Sequence, residues 1–447
     1  MLDLPKYLAY AAEQGADEAE LYYVSGREES VIVRDKEVRK VESAHDRGLA
    51  IRVIRQKRAG FAYTSSLTGG DIRQAVTMAL RNAEYAEADK FLALPPPAAA
   101  GARAKPRALQ NYAPAAVELT LSHLAVWAKR AEAAAYACDE RVFTTEAATA
   151  FCALSKSRLL NTRGVDVAQQ KTLCGVSLEI AAQHGGRMEA AADFKYAVSP
   201  AKITPEKIGR LAAARAVRML DAVPAKTGRY DLVLVPAVAR DFLAVLSELF
   251  SAENVLRHKS LFRRKLGQQV AAAGVTLIDD PLYPGLSGSY LYDGEGSPAR
   301  RRVLIARGQL KDYYYDYYSA RKCGQQSGGN AVRGSIFSEP VIGPSNLYFQ
   351  PGKLKPAALL KSIGQGVLIE NIMGLHTADP VSGDFSFGAS GRLIRGGRLA
   401  GAVKDMAIAG NLTELLQAVK ACGADLEFSG HYGAPSVLIT GIMVAGQ

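Results

Sequence analysis

Apolar residues recur along this chain with two periods, and each change of period marks a new element. Pro5 to Glu13 reads as a short helix. From Glu20 the pattern turns to alternation. ELYYVSG, SVIVRD, VRKVESA, GLAIRVIRQ and GFAYTSS each run four to nine or so residues between Gly, Asp or charged turns, which predicts an antiparallel meander of short strands. Asp71 to Ala88 returns to helical spacing, with Ile72, Ala75, Val76, Ala79 and Leu80 on one face and Gly70 and Asp71 as its start.

The stretch Leu92 to Ala108, LALPPPAAAGARAKPRA, has no period and is rich in Pro and Ala, so it reads as an extended, stiff linker. A helix near Ala115 to Cys138 follows. Strands are then predicted at RVFTTEAATAFCALS, RLLNTRG, TLCGVSLEIAAQ and RMEAAADFKYA. A helix from Pro205 to Leu220 closes this segment, with Thr204 as N-cap and Pro at the first helical position. YDLVLVP then reads as a buried strand, followed by a helix from Ala237 to about Asn254. Short strands with Gly-rich turns come next, with helices near Pro356 to Ser362 and Leu412 to Cys422.

Strand runs broken by occasional helices predict an α+β protein with largely antiparallel sheets. The divisions are an N-terminal α+β domain (1–92), a linker (93–108), a middle α+β domain (109–226) and a C-terminal domain (227–447).

Composition narrows the class. The chain has 447 residues, 48% of them hydrophobic and 22% charged, as in ordinary globular proteins. No stretch approaches a membrane span, and the N-terminus lacks a signal-peptide pattern, so a cytoplasmic location is expected. Five widely spaced cysteines without a Cys-x-x-Cys pair indicate neither a zinc ribbon nor a disulfide framework. The formal net charge is +11. Arg257, Lys259, Arg263, Arg264 and Lys265 lie in a stretch free of acids, and Arg300, Arg301 and Arg302 form a second cluster. Such patches attract nucleic acid or an acidic partner surface. No aromatic-interleaved binding motif accompanies them, so nucleic acid is not the expected partner.

Catalytic signatures are missing. The six histidines are scattered, and there is no Gly-x-Ser-x-Gly elbow, Walker loop or dinucleotide fingerprint. Ser386 and Ser390 have no paired base in sequence, and GQQSGGNAVRG reads as a mobile loop. Asp279, Asp280, Asp293 and Glu295 are spaced as a divalent-cation site would need, but Asp279 and Asp293 read first as loop-ordering acids. KDYYYDYYSARKCG alternates as a strand with Tyr313, Tyr315 and Tyr317 on one face.

Several segments together resemble the TldD/PmbA (TldE) family, often labelled modulators of DNA gyrase. They are LIDDPLYPG, YLYDGEGSPARRRVLIARGQLKDYYYDYYSARKCG, GPSNLYFQPG, SGDFSFGASGRLIRGGRLAGAVKDMAIAGNL and GAPSVLITGIMVAG. The resemblance implies a C-terminal domain built on a large curved, mostly antiparallel sheet. It also implies a two-subunit zinc-dependent peptidase system. In the TldD branch a helix carries His-Glu-x-x-x-His, whose imidazoles grip Zn²⁺ while the Glu serves as base. Counting back without gaps from Ser260 puts Leu243, Ala244 and Glu248 at those positions. The TldD branch's late Gly-x-Cys-Gly-Lys loop is here the shorter GHYGAPS around His431, nine residues after Cys422.

The chain is therefore similar to the PmbA/TldE branch. No catalytic residue, metal ligand or cofactor is expected in it, and zinc is expected in a TldD-like partner. The resemblance implies substrate held as an added strand, with Tyr315, Tyr317, Asn346 and Phe385 as candidate peptide contacts and residues 325–345 as a candidate lid. The expected role is a non-catalytic subunit, in a heterodimer with a TldD-like chain or a homodimer, acting on unfolded proteins or peptide precursors. The alternatives are a self-sufficient peptidase and a non-proteolytic regulator of DNA gyrase or of a toxin–antitoxin component.

Overall fold

The computed structural model describes residues 2–98 and 109–446, so most of the expected linker lies outside the described residues. The first half is organised by hairpins. Asp35 and Lys36 (φ 53° and 66°) and Gln56 and Lys57 (φ 51° and 60°) sit in the left-handed region, as two-residue loops matched to strand twist require. They join β1 (Glu18–Arg34), β2 (Glu37–Arg55) and β3 (Arg58–Thr64). The five short strands expected here are thus three, two of them long, with 17 and 19 residues, and one of 7. Gly26 and the polar residues around it do not break the chain, because Gly26 pairs with Asp46 on one side and Ser155 on the other. A ladder with both neighbours in place overrides the local turn signal.

The second segment contributes β4 (Val142–Asn161), β5 (Asp166–His184) and β6 (Arg187–Ala197). Pairing of β1 with β4 merges both meanders into one antiparallel sheet of order β3-β2-β1-β4-β5-β6. Helices α1 (Pro5–Glu13) and α2 (Gly69–Tyr85) cover one end; α3 (Pro114–Val117), α4 (Leu121–Tyr136) and α5 (Pro205–Met219) cover the other. The helix expected over 115–138 is split, because Thr120 and His123 form a capping box that starts α4 afresh. Thr68, not Gly70, caps α2 by accepting from the Asp71 N–H. Thr204 stands at the N-cap of α5 but makes no side-chain cap bond. Where α5 crosses α4, a Cβ on Gly209 would meet the Ala131 carbonyl oxygen at 2.0 Å, so only glycine permits that approach.

The remaining chain continues with β7 (Val223–Pro224), β8 (Gly228–Leu234), α6 (Pro236–Ser247), α7 (Ala252–Leu256), β9 (Leu277–Asp279), β10 (Arg302–Ala306), β11 (Gln309–Leu310) and α8 (Tyr317–Lys322). Then come β12 (Ala331–Val332), β13 (Val341–Ile342), β14 (Leu347–Phe349), α9 (Pro356–Lys361), β15 (Gln365–Met373), β16 (Asp384–Arg395) and β17 (Arg398–Asn411). The last elements are α10 (Leu412–Gln417), β18 (Val419–Cys422), β19 (Glu427–Ser429), β20 (Tyr432–Ala434) and β21 (Val437–Ala445).

Seven strands in the order β18-β21-β8-β15-β16-β17-β7 form a curved, mostly antiparallel sheet, which curls until β17 also pairs with β21. Its concave side is filled by a core that includes Phe242, Leu243 and Leu246 of α6. A smaller sheet, β11-β10-β9-β14-β20-β19, packs beside it. The protein is α+β.

Three local expectations fail here. The helix after β8 ends at Ser247, because a 3₁₀ turn follows and Ser251 caps α7 through Asn254. The helix expected to reach Cys422 stops at Gln417, because Val419–Cys422 is captured by β21. The tyrosine run is not one strand. Asp316 accepts from the Ser319 N–H at 2.7 Å and starts α8 at Tyr317. Among the described residues no helix is long and apolar enough to cross a membrane.

A buried ion network ties the first sheet to the C-terminal segment. Arg52 of β2 donates to Glu20 of β1 at 3.0 Å and to Glu295 at 2.9 Å. Arg333, 2% exposed, pairs with the other oxygen of Glu20, donates to the Gly294 carbonyl and stacks 4.6 Å from the Tyr22 ring. Removing one partner leaves an uncompensated buried charge. Arg333→Met is therefore expected to lower the unfolding free energy by roughly 3–5 kcal/mol in urea denaturation. A loss no greater than that of an exposed ion pair would show that the network carries little of the junction.

Candidate functional site

Helix α6 occupies the zinc-motif positions. Leu243 is fully buried in the C-terminal core beside Phe242, which meets Phe385 at 6.1 Å and Phe387 at 5.3 Å, both edge to face. Ala244 is half-buried, and its carbonyl accepts from the Ser247 hydroxyl at 2.6 Å. Glu248 is exposed and accepts from the Asn254 amide at 3.3 Å. Neither Leu243 nor Ala244 offers a donor atom to a metal, and the one carboxylate turns to a neighbour's amide. This helix face does not fit zinc. Among the described residues no three His, Cys, Asp or Glu side chains are grouped as metal ligands.

The loop around His431 is likewise occupied by protein contacts. His431 Nδ1 lies 2.9 Å from the Ser345 carbonyl oxygen. The neighbouring Tyr432 hydroxyl reaches Ser247 Oγ on α6 at 3.2 Å, an α6–β20 link that the sequence did not reveal. Cys422 is buried on β18, and burial pushes its thiol up to about 11.

The four candidate peptide contacts do not share one surface. Phe385 is buried and stacks on Phe387 at 4.6 Å, so it serves the core under α6. Asn346 is fully buried; its amide donates to the Asp280 carbonyl at 2.8 Å and to Ser289 Oγ at 3.1 Å. Tyr315 is buried beside Tyr313. Tyr317 is half-buried at the start of α8, where its N–H donates to Glu295 Oε2 at 2.9 Å. Residues 325–345 are pinned at several points. Asn330 donates to Asp279, Ala331 N–H to Asp293, and Arg333 joins the ion network. Phe337 stays exposed at their tip, 4.9 Å from Tyr63.

The acids of this region order loops. Asp279 accepts from the Ser345 N–H, the Ser345 hydroxyl and Asn330. Asp293 accepts three backbone N–H bonds, from Glu295, Ser297 and Ala331. The Arg300–Arg302 cluster is absorbed locally: Arg300 donates to Gln326, Arg301 lies 3.6 Å from Asp280, and Arg302 pairs with Asp312.

Burial raises the Asp279 carboxyl to about 6, against the pull of its hydrogen bonds. Burial and the nearby Glu295 raise Asp293 and Asp316 above the ordinary carboxylate range. Each group holds its proton more tightly folded than unfolded. Its stabilising contribution is therefore complete below the ordinary carboxylate range and is lost as pH rises through the folded value. Unfolding free energy is expected to fall between about pH 4 and 6, with Asp279 alone accounting for on the order of 3 kcal/mol. Urea titrations across this range check it, and Asp279→Asn and Asp316→Asn should each flatten the part below about pH 6. A wild-type profile that rises through the window would overturn the assignment.

The whole chain has relatives. Three family models match it: PmbA/TldA metallopeptidase domain 1 over residues 19–83, the central domain over 115–220 and the C-terminal domain over 227–446. A Methanothermobacter thermautotrophicus protein named metalloprotease is 29% identical, covering 97% of this chain and 96% of its own length. Metalloprotease PmbA of Escherichia coli O157:H7 is 28% identical, covering 94% and 90%. A Thermotoga maritima structure, described as a modulator of a DNA gyrase, superposes with a TM-score of 0.90 at 27% identity over 99% of both chains. TldE from Thermococcus kodakarensis superposes with a TM-score of 0.90 at 25% identity, covering 99% of this chain and 100% of its own. With all three domain models matched in order, the chain belongs to the PmbA/TldD (TldE) metallopeptidase family.

Proposed function

We propose that this chain is the non-catalytic, PmbA/TldE-like subunit of a zinc-dependent peptidase. A TldD-like chain would supply the metal and the general base, and the substrates would be unfolded proteins or peptide precursors. The observation that carries this reading is the chemistry of α6. Its motif positions hold Leu243, packed into the core, and Ala244, neither of which can bind a metal or take a proton. Relatives named metalloprotease support a peptidase role for the family, and the likeness to TldE supports this side of it.

In this reading the chain's own contribution is positional. The curved sheet and the buried core around α6 make a rigid wall, and Ser247 and Tyr432 fix α6 against β20. Rigid elements hold a neighbouring reactive centre more reproducibly than loops do.

Reconstitution tests the proposal. This chain, a TldD-like chain from the same genome and Zn²⁺ are mixed with a disordered peptide, and cleavage is followed by mass spectrometry beside each chain alone. Cleavage that needs both chains and disappears with chelator is the expected result. Cleavage by this chain alone would refute the reading of Leu243 and Ala244.

A further inference from the structure

The first sheet and the smaller C-terminal sheet each end in an unpaired strand, β6 in one and β19 in the other. Between these edges lies a cavity of about 110 Å³, with Lys195, Tyr196, Lys202, Gly285, Ser287 and Phe428 in its walls. Its charge is one-sided. Arg240 of α6, one helical turn before Leu243, donates to the Glu427 carbonyl at 3.4 Å and stands 3.8 Å from the Glu427 carboxylate. Lys171 approaches from behind the wall. Its ammonium donates to the Ser287 carbonyl at 3.3 Å and lies 5.6 Å from the Tyr290 ring centre.

Among the described residues, none of Lys171, Lys195 and Lys202 forms an ion pair. The net field is visible in the side chains. Burial with no carboxylate at hand pushes Lys171 down to about 8. Lys195 is lowered by burial and by Arg240, Lys207 and Lys202, against which Glu427 alone pulls the other way. Two cations, Lys195 and Lys202, thus line the recess and Lys171 stands behind its wall, while Arg240 beside it is paired with Glu427. An arrangement of like charges held together at a cost is relieved by an incoming anion.

We propose that this recess is a carboxylate-binding subsite, which selects polypeptide segments bearing an acidic side chain or a free C-terminal carboxylate. This rests on the peptide-handling role proposed above and names the class of peptide it favours. The size of the recess fits one carboxylate-bearing group, and is well below the several hundred Å³ of pockets that enclose a drug-sized ligand. Tyr196 and Phe428 give the flanking chain apolar surface with little entropy to lose. Lysine suits the task, because a flexible point charge with three donors accepts a carboxylate in many poses. Glu427, next to the wall residue Phe428, is held by Arg240, which lies one helical turn before Leu243.

The test is fluorescence anisotropy on the isolated full chain. The probes are a disordered acidic peptide and its Asn/Gln counterpart, each with a free and an amidated C-terminus. The carboxylate-bearing peptides are expected to bind roughly tenfold tighter than the neutral amidated one, with the advantage shrinking as salt is raised. Lys195→Gln with Lys202→Gln should bring the acidic peptide to the neutral level, while thermal unfolding confirms the fold. Preference carried by the C-terminus or by acidic side chains would support the proposal and identify the source. Equal binding of all four peptides, or a preference that survives in the double variant, would overturn it. So would tighter binding of a single-stranded DNA of similar length. Carboxylate preference without cleavage in the reconstituted mixture would sink the subunit reading alone; cleavage without preference would sink the subsite alone.

Discussion

Four charged side chains without free access to water hold the two halves of this protein in register. Glu20 and Arg52 come from adjacent strands of the first sheet, Glu295 and Arg333 from loops more than two hundred residues later. The charges alternate and sum to zero, so each ion finds the partner that burial demands. Glu295 spends its second oxygen on the Tyr317 N–H and thereby sets the start of α8. Arg333 fixes the Gly294 loop and, through its neighbours Asn330 and Ala331, the positions of Asp279 and Asp293. A shift of the first sheet against the C-terminal segment would break these bonds together.

The same economy runs through the rest of the C-terminal segment. Many of its polar residues are buried in hydrogen bonds to one another: Ser345 donates to Asp279, and Asn346 donates to the Asp280 carbonyl and to Ser289. Such a network orders loops and leaves few groups free for chemistry. At α6 the packing is apolar instead. Leu243, with Phe242 between Phe385 and Phe387, makes this helix a support for the curved sheet. The positive charge appears beside it, where the edges of two sheets approach and Lys195 and Lys202 line a recess without forming ion pairs among the described residues. The division between a largely hydrogen-bonded interior and a recess lined by lysines outside any ion pair is what separates scaffold from candidate binding surface in this chain.

Much of this was written in local sequence. Period-two and period-3.6 patterns gave the class, the helices over 5–13 and 205–219, and the run of strands around the late glycines. The spelling DFLAVLSELF alone removed a histidine ligand and the general base from a zinc motif, because side-chain chemistry does not depend on fold. The buried strand YDLVLVP, ended by Pro236, was an equally local fact, whereas Phe385, expected as a peptide contact, faces the core.

What tertiary structure decided was everything set by distant partners. Gly26 reads as a turn but sits mid-strand, because β2 and β4 supply its ladder. Tyr317 reads as a strand residue but opens a helix, with Asp316 as cap and Glu295 holding its N–H. Val419–Cys422 reads as helix but is claimed by β21. The basic recess is lined by Lys195 and Lys202 and backed by Lys171, which no motif links. The reason is common to all four cases. Local propensities differ by about 1 kcal/mol or less per residue, whereas a completed ladder, cap or buried bond contributes as much and is fixed by residues far away in sequence.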